Sequence, residues 1–197
     1  MNTKEFKQLA LTYFGDVLTP YGFSSKDSEY CTFSRMRGDL CDIIMPILSR
    51  DGSSFIIRVF VTSPVIDPAF EMRFPDTLGI PSDVCSALHP KHGVHFREHK
   101  YRCKYEEGFI RNFQNDAKPA LLDKALPYLD AITKVEDLLP YMKHPFFVAA
   151  VSWHANKKRD IKSLLENEQK RLSSIQNTTG GVEIYLQYVE GLLAQVE

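Results

Sequence analysis

Four of the chain's six histidines fall in the short stretch from position 89 to position 99, spaced three or four residues apart. Imidazole nitrogens bind transition metals and change protonation state near neutral pH. If the backbone brings these rings together, the stretch could form a metal site or an acid–base centre. The four candidates are His89, His92, His95 and His99.

The backbone that carries the histidines decides whether their rings can share a metal ion. Side chains alternate after Gly93, which predicts a strand over residues 94–105. On a strand, the Cα atoms of His95 and His99 would lie roughly 13 Å apart, since each residue spans about 3.3 Å. Two imidazoles so far apart cannot both reach one zinc ion, whose nitrogen ligands lie about 2.0–2.1 Å away.

A smaller set stays chemically possible, because His89 and His92 flank Pro90 in a predicted turn and could converge with His95. A site for zinc or another transition metal would need a further ligand. The carboxylates considered are Asp67, Asp76 and Asp83. Exposure of the histidines on a loop and a strand explains the same pattern without a metal, and the sequence favours that interpretation. No cofactor is therefore expected, and no catalytic residue is assigned.

The predicted strand also carries a row of basic side chains, a pattern that suggests anion or single-stranded nucleic-acid binding. Phe96 and Tyr101 lie among them and could stack on bases. However, charged residues on an edge strand also prevent edge-to-edge aggregation, and Glu98 dilutes the positive charge, so this second explanation is favoured. The basic candidates are Arg97, Lys100, Arg102 and Lys104.

The elements before the histidines predict a helix followed by an antiparallel sheet. Apolar residues recur at three- and four-residue steps over positions 6–18, which is typical of an amphipathic helix, with Thr3 as its expected N-cap. Strand-forming stretches follow at residues 29–36, 40–48 and 53–62. A Gly38-Asp39 turn joins the first two, and Asp42 is the one charged residue in the second.

From residue 107 onward the pattern is helical, with Pro119 expected in the first turn of a helix. We predict an α+β protein: an antiparallel sheet of about four or more strands covered by helices, followed by a C-terminal helical bundle or hairpin. The predicted domains are an α+β domain over residues 1–142 and a helical extension over residues 143–197, which could pack on the first domain.

The composition is that of an ordinary globular protein, with 44% hydrophobic and 25% charged residues and a formal net charge of −1. Such a charge gives no general attraction to nucleic acid or to an anionic membrane. No apolar signal core or spanning stretch is present, so we expect no membrane association and a cytoplasmic location. The four scattered cysteines are expected to be reduced thiols.

The run from Leu18 to Phe23, Leu-Thr-Pro-Tyr-Gly-Phe, resembles a motif of uncharacterised bacterial domains of unknown function. In those domains a leading helix ends in Leu-x-Pro-x-Gly-Phe and a short β-meander follows. The resemblance covers residues 3–62 most closely and residues 63–142 more loosely. It implies a bacterial, cytoplasmic α+β domain and brings no active site with it. Some domains of this type lie beside polymorphic toxins, which implies an immunity-like or partner-binding role.

No catalytic or nucleotide-binding motif is present: the chain has no G-x-S-x-G, H-E-x-x-H, P-loop or dinucleotide fingerprint. We therefore predict a non-enzymatic protein-interaction module that binds a protein partner. The alternatives are a metal-dependent hydrolase or metal-binding protein that uses the histidine cluster, and a single-stranded nucleic-acid binder. The sequence leaves the partner's identity and the oligomeric state open.

Overall fold

The chain combines an antiparallel sheet with helices, which confirms the predicted α+β class. The computed structural model describes residues 1–26, 31–67, 87–95, 98–142, 145–155, 158–175 and 180–195. The chain divides into two compact units, Met1–Val61 with Cys85–Ile132, and Thr62–Val84 with Thr133–Glu197. The predicted domains, residues 1–142 and 143–197, stay a prediction, because compact units need not coincide with domains that fold independently.

Helix α1 spans Thr3–Leu18 and buries the face that its periodicity predicts. The buried residues are Phe6, Ala10, Phe14, Val17 and Leu18. The N-cap is Asn2 rather than Thr3. The side chain of Asn2 accepts a hydrogen bond from the Glu5 amide, and the Glu5 carboxylate accepts one from the Asn2 amide, so the two form a capping box. A 3-10 turn over Thr19–Tyr21 follows the helix.

Within the described residues, seven strands form one sheet in the order β1-β2-β3-β4-β5-β6, with β7 also paired to β4. The strands are β1 (Ser24–Lys26), β2 (Thr32–Arg37), β3 (Leu40–Leu48), β4 (Ser54–Thr62), β5 (Ala87–His89), β6 (Gly93–His95) and β7 (Tyr101–Arg102). The Gly38-Asp39 turn joins β2 and β3 as predicted, and the resulting register places Arg37 opposite Leu40. β4 is a central strand, as its apolar residues on both faces predict.

Aromatic rings of α1, the sheet and the helix that follows β7 form the core of the first unit. Phe55 on β4 is fully buried, and its ring centroid lies 5.1 Å from that of Tyr101 and 5.3 Å from that of Phe109. The rings of Phe14 and Phe113 lie 4.9 Å apart. Aromatic pairs at such distances contribute about 0.5–1.5 kcal/mol beyond the area they bury. This packing holds both helices against the sheet.

A long helix, α2, begins at Glu106 and ends at Ala131, and it alternates between α-helical and π-helical turns. The α-helical parts are Glu106–Asn112, Lys118–Ala120 and Leu126–Ala131, and the π-helical parts are Phe113–Ala117 and Leu121–Ala125. The predicted helix start at Pro119 is wrong, because the helix continues through this proline. A π-turn moves each hydrogen bond by one residue, which lets a helix accommodate a residue that has no amide hydrogen.

The second unit is helical in its C-terminal part, as predicted. It contains a 3-10 segment (Val135–Tyr141) and the helices α3 (Pro145–His154), α4 (Lys158–Ser173) and α5 (Gly180–Leu193). The Tyr185 hydroxyl on α5 donates to the buried carboxylate of Asp67 at 3.1 Å, and the Tyr188 hydroxyl donates to the Val65 carbonyl at 3.0 Å. Across the part of the chain that the structure describes, no helix is long and apolar enough to cross a membrane.

Candidate functional site

The histidines lie on and beside a short hairpin rather than on one long strand. β5 and β6 are joined by residues 90–92, and β6 ends at His95. The predicted strand over residues 94–105 is therefore wrong, since residues 98–100 are not in a strand and β7 is only two residues long. Gly93 has a φ of 73°, the left-handed conformation that a three-residue hairpin loop requires.

This hairpin brings the rings of His89 and His92 together, and it adds His99, which the spacing argument left out of the converging set. The ring centroid of His89 lies 4.4 Å from that of His92 and 4.9 Å from that of His99. The centroids of His92 and His95 are 6.4 Å apart. The predicted separation of His95 and His99 assumed a continuous strand between them. Because the chain is not a strand at residues 98–100, the ring of His99 reaches His89.

His89 lies at the centre of the cluster and holds the hairpin turn through one ring nitrogen. Its Nδ1 atom accepts hydrogen bonds from the amides of Lys91 at 3.1 Å and His92 at 3.3 Å. A nitrogen that accepts two N–H groups is unprotonated, so the proton of the neutral ring is on Nε2. Burial lowers the pKa of His89, and the charges of its histidine neighbours and Lys91 lower it further. Burial also lowers the pKa of His99, against the opposite effect of Asp116.

The described residues of the cluster do not have the geometry of a metal site. Within the described residues, no group of three or more His, Cys, Asp or Glu side chains is arranged to hold a metal ion. His89 presents no lone pair, because Nδ1 accepts amides and Nε2 carries the proton. Of the carboxylates considered, Asp67 bonds to Tyr185 in the second unit, while Asp76 and Asp83 lie outside the described residues. The metal hypothesis stays a prediction that elemental analysis of untagged protein would test.

The structure describes three of the four basic candidates. Lys100, Arg102 and Lys104 are exposed, and Arg97 and Phe96 lie outside the described residues. Tyr101 is buried, and its hydroxyl donates to the Leu88 carbonyl at 3.0 Å. Burial raises the pKa of Tyr101 as well. Nucleic-acid binding by this stretch stays a prediction.

Two cysteines of the first unit are poor nucleophiles. Cys31 and Cys103 are buried, reduced thiols, as the sequence predicts. Burial raises the pKa of each to about 11, so both are protonated at neutral pH and their thiolate forms are scarce. Cys85 lies outside the described residues.

A buried ion-pair network on β2 and β3 was missed by the sequence interpretation. The Asp42 side chain has 0% exposure, and its Oδ2 accepts hydrogen bonds from the Nε atoms of Arg35 at 2.9 Å and Arg37 at 2.6 Å. Arg37 Nη2 donates to Asp42 Oδ1 at 2.8 Å and to the carbonyls of Leu129 and Ile132 at 2.9 and 3.0 Å. Hydrogen bonding to Asp42 raises the pKa of Arg37.

This network has a structural role, because the Arg37 guanidinium satisfies carbonyls at the C-terminal end of α2, where a positive charge is favourable. A sequence signal for it exists. A lone aspartate in an otherwise apolar strand needs a buried partner, and the hairpin register places Arg35 directly opposite Asp42. The network fixes the β2–β3 hairpin to α2 and leaves the Asp42 carboxylate without access for a ligand.

A groove of about 870 Å³ lies between α1 and the start of α2. Tyr105, the N-cap residue of α2, is 65% exposed, more than any other large hydrophobic residue that the structure describes. The Lys104 ammonium lies over the Tyr105 ring, 5.4 Å from its centroid. The lining consists of Met1, Asn2, Glu5, Gln8, Leu9, Thr12, Tyr13, Lys104, Tyr105, Glu106 and Glu107.

The unpaired charged groups that line this groove are carboxylates. Glu106 and Glu107 are exposed in the first turn of α2 and form no ion pair within the described residues. The two cations of the lining are engaged. Lys104 lies over Tyr105, and the Met1 ammonium donates to the carbonyls of Lys104 and Gly52 at 2.9 and 3.2 Å. The groove therefore offers an aromatic ring and two unpaired carboxylates side by side.

Comparison with models of known protein families, with curated proteins and with solved structures finds no match to this chain. The resemblance to uncharacterised bacterial domains, and the bacterial origin and cytoplasmic location that it implies, therefore stay predictions. A functional proposal must be argued from the geometry and charge of the chain's own residues.

Proposed function

We propose that this chain is a non-enzymatic protein-interaction module, and that the groove between α1 and α2 binds a partner segment that carries arginine or lysine. The observation that supports this most is the exposed ring of Tyr105 beside the unpaired carboxylates of Glu106 and Glu107. Exposed aromatic residues with polar neighbours are typical of protein-binding surfaces, and tyrosine and arginine are enriched among the residues that dominate binding energies.

The chemistry of the groove favours a basic partner segment over an acidic or apolar one. The Lys104 ammonium over the Tyr105 ring shows that the ring accepts a cation on its face. A guanidinium from a partner could stack on the same ring and also form paired hydrogen bonds with a carboxylate of Glu106 or Glu107. Leu9 and Tyr13, both half-buried, add apolar surface for the stem of such a side chain.

The same groove lacks the groups that nucleophilic or acid–base catalysis commonly uses. Among the described residues that line it there is no histidine and no cysteine. Its carboxylates are exposed to water, which keeps charged side chains solvated rather than activated for proton transfer. Binding, rather than catalysis, is what this arrangement supports.

Fluorescence anisotropy with labelled short peptides of graded net charge tests the proposal. Affinity should rise with the number of arginines and lysines and fall with added salt, since exposed charges are screened. The variant Tyr105→Ser should bind the best basic peptide roughly tenfold more weakly, which corresponds to about 1.4 kcal/mol. The double variant Glu106→Gln with Glu107→Gln should weaken binding and flatten the salt dependence.

Two matched controls separate the groove from general surface effects. Tyr21 is another exposed tyrosine, and Glu183 is another exposed glutamate in the first turn of a helix, so Tyr21→Ser and Glu183→Gln should bind as the unmodified protein does. The proposal fails if affinity is independent of peptide charge. It also fails if the Tyr105 and Glu106/Glu107 variants bind as tightly as their controls.

A further inference from the structure

The β5–β6 hairpin is held by an imidazole that can gain a proton. His89 ends β5, and its Nδ1 atom accepts the amides of Lys91 and His92 in the loop that leads to β6. These hydrogen bonds exist only while Nδ1 is unprotonated, because a protonated imidazole has two donors and no acceptor. A proton on Nδ1 would face two N–H groups and remove both bonds that stabilise the turn.

The charges around His89 add to this sensitivity. The rings of His92 and His99 lie 4.4 and 4.9 Å away, and Lys91 is in the same loop, so the neighbours that act on His89 are bases. Among the described residues, the charged groups on the elements packed against the hairpin include Lys124 and Asp116 on α2, with Asp123 in the α2 segment that contacts it, and Arg58 on β4 with its ion-pair partner Glu98. Of these carboxylates, Asp116 acts on His99, whereas the charges that act on His89 among the described residues are those of His92, His95, His99 and Lys91.

The β5–β6 hairpin lies at one end of the strand order. β6 is at the end of the strand order and pairs with β5 through the register Ala87 to His95, Leu88 to Val94 and His89 to Gly93. No further strand follows β6 in the described sheet. Separation of β6 would therefore expose the edge of β5 without disrupting β2, β3 or β4, and an exposed strand edge can pair with another chain.

From this geometry we propose that the β5–β6 hairpin is an acid-sensitive switch, in which protonation of His89 releases the turn and repulsion within the histidine cluster drives β6 away from β5. The switch is independent of the groove between α1 and α2, so it does not rest on the function proposed for that groove. The switch assigns a role that needs no metal to the histidines that lie close together in the sequence.

Nuclear magnetic resonance of the labelled full chain, from about pH 7.5 to about pH 5, tests the switch. The ring of His89 should titrate below 6.5, the ordinary value for histidine, and the amides of Lys91 and His92 should shift with the same midpoint. The same two amides should lose protection from hydrogen exchange as His89 is protonated, after correction for the intrinsic pH dependence of exchange.

The variant His89→Asn separates the switch from a general response to acid. The asparagine carbonyl can accept the same amides and does not titrate, so acidification should no longer reduce the protection of the Lys91 and His92 amides from hydrogen exchange. His154→Asn, in the second unit, should leave their response unchanged. If the two amides lose protection equally in the His89→Asn protein, or keep their protection while the His89 ring of the unmodified protein titrates, the proposal is wrong.

A second variant keeps the test decisive if His89→Asn does not fold. His99→Asn removes a neighbouring base whose charge lowers the pKa of His89. The titration midpoint of His89 should then move upward, and the two loop amides should follow it. A midpoint that stays in place or moves down would contradict the role of the cluster.

Discussion

Two polar clusters of the first unit differ in the charges that surround their titratable groups. The Asp42 network on β2 and β3 surrounds one buried carboxylate with two guanidiniums, so each charge has a partner of opposite sign. The histidine cluster on and beside the β5–β6 hairpin places bases next to bases, and no carboxylate in the part of the chain that the structure describes acts on its central ring. The first arrangement is stable when charged, and the second is stable when neutral.

This difference separates a structural cluster from a responsive one. A buried, fully hydrogen-bonded ion pair keeps its charges over the physiological pH range, and its loss leaves an uncompensated charge in a poorly solvated place. A group of imidazoles changes charge in that range, so its contribution to stability varies with pH. Both clusters lie on strands of one sheet, yet only the hairpin at the end of the strand order can respond without unfolding its neighbours.

The largest effect should come from breaking the Asp42 network. Asp42→Asn removes the charge that faces Arg35 and Arg37 and should lower the free energy of unfolding by about 3 kcal/mol, since Arg37 loses its carboxylate partner and Arg35 keeps only its ion pair with the more exposed Asp130. Urea unfolding measures the loss. Asp39→Asn, in the exposed turn of the same hairpin, is the matched control and should change stability by no more than about 0.5 kcal/mol. Equal stabilities of the two variants would show that the network is not structural.

Much of the first unit is predictable because its periodicity and turn chemistry agree. The apolar face of α1 and the register of the β2–β3 hairpin both follow from local sequence, since a Gly-Asp turn of two residues allows one pairing. The continuous helix through Pro119 is not predictable in this way, because a π-turn that accommodates proline leaves no mark in the pattern of apolar residues.

The candidate sites were predictable only in part, for two physical reasons. Alternation after Gly93 indicates a strand, but the chain leaves that strand after His95, so the distances between the histidine rings could not be derived from spacing. The groove next to Tyr105 depends on α1 lying beside the start of α2, a long-range contact that local sequence does not encode. By contrast, the partner of Asp42 was predictable although it was not predicted: an aspartate in an apolar strand needs a buried partner, and the hairpin register places Arg35 opposite it.

The variant Arg37→Lys tests whether hydrogen-bond geometry, and not charge alone, stabilises the Asp42 network. Arg37→Lys keeps the positive charge but loses the two-atom contact with Asp42 and the donors to the carbonyls of Leu129 and Ile132. The free energy of unfolding should fall by about 1.5–3 kcal/mol, the usual worth of hydrogen bonds to charged groups. Arg111→Lys, an exposed position on α2, should stay within about 0.5 kcal/mol of the unmodified protein.

The smallest effect, and the one that distinguishes the two clusters, is the pH dependence of stability. The pKa of His89 is lowered in the folded protein from 6.5, the ordinary value that applies to the unfolded chain. Between the folded and the unfolded pKa, the unfolded chain therefore binds more protons than the folded protein. The contribution of His89 to the free energy of unfolding is therefore complete above pH 6.5 and is lost as the pH falls from 6.5 through the pKa of the folded protein. Urea unfolding at several pH values should show the unmodified protein losing stability relative to His89→Asn on acidification.

The same experiment on the Asp42 network should give the opposite result, so it tests whether the two clusters differ in their response to pH. Arg37 has a raised pKa and stays charged, so the difference between the unmodified protein and Arg37→Lys should be constant across this pH window. If that difference varied with pH while the His89→Asn difference did not, the assignment of a fixed role to one cluster and a responsive role to the other would have to be reversed. A constant difference for Arg37→Lys with a falling one for His89→Asn would place the acid response of the first unit in the β5–β6 hairpin.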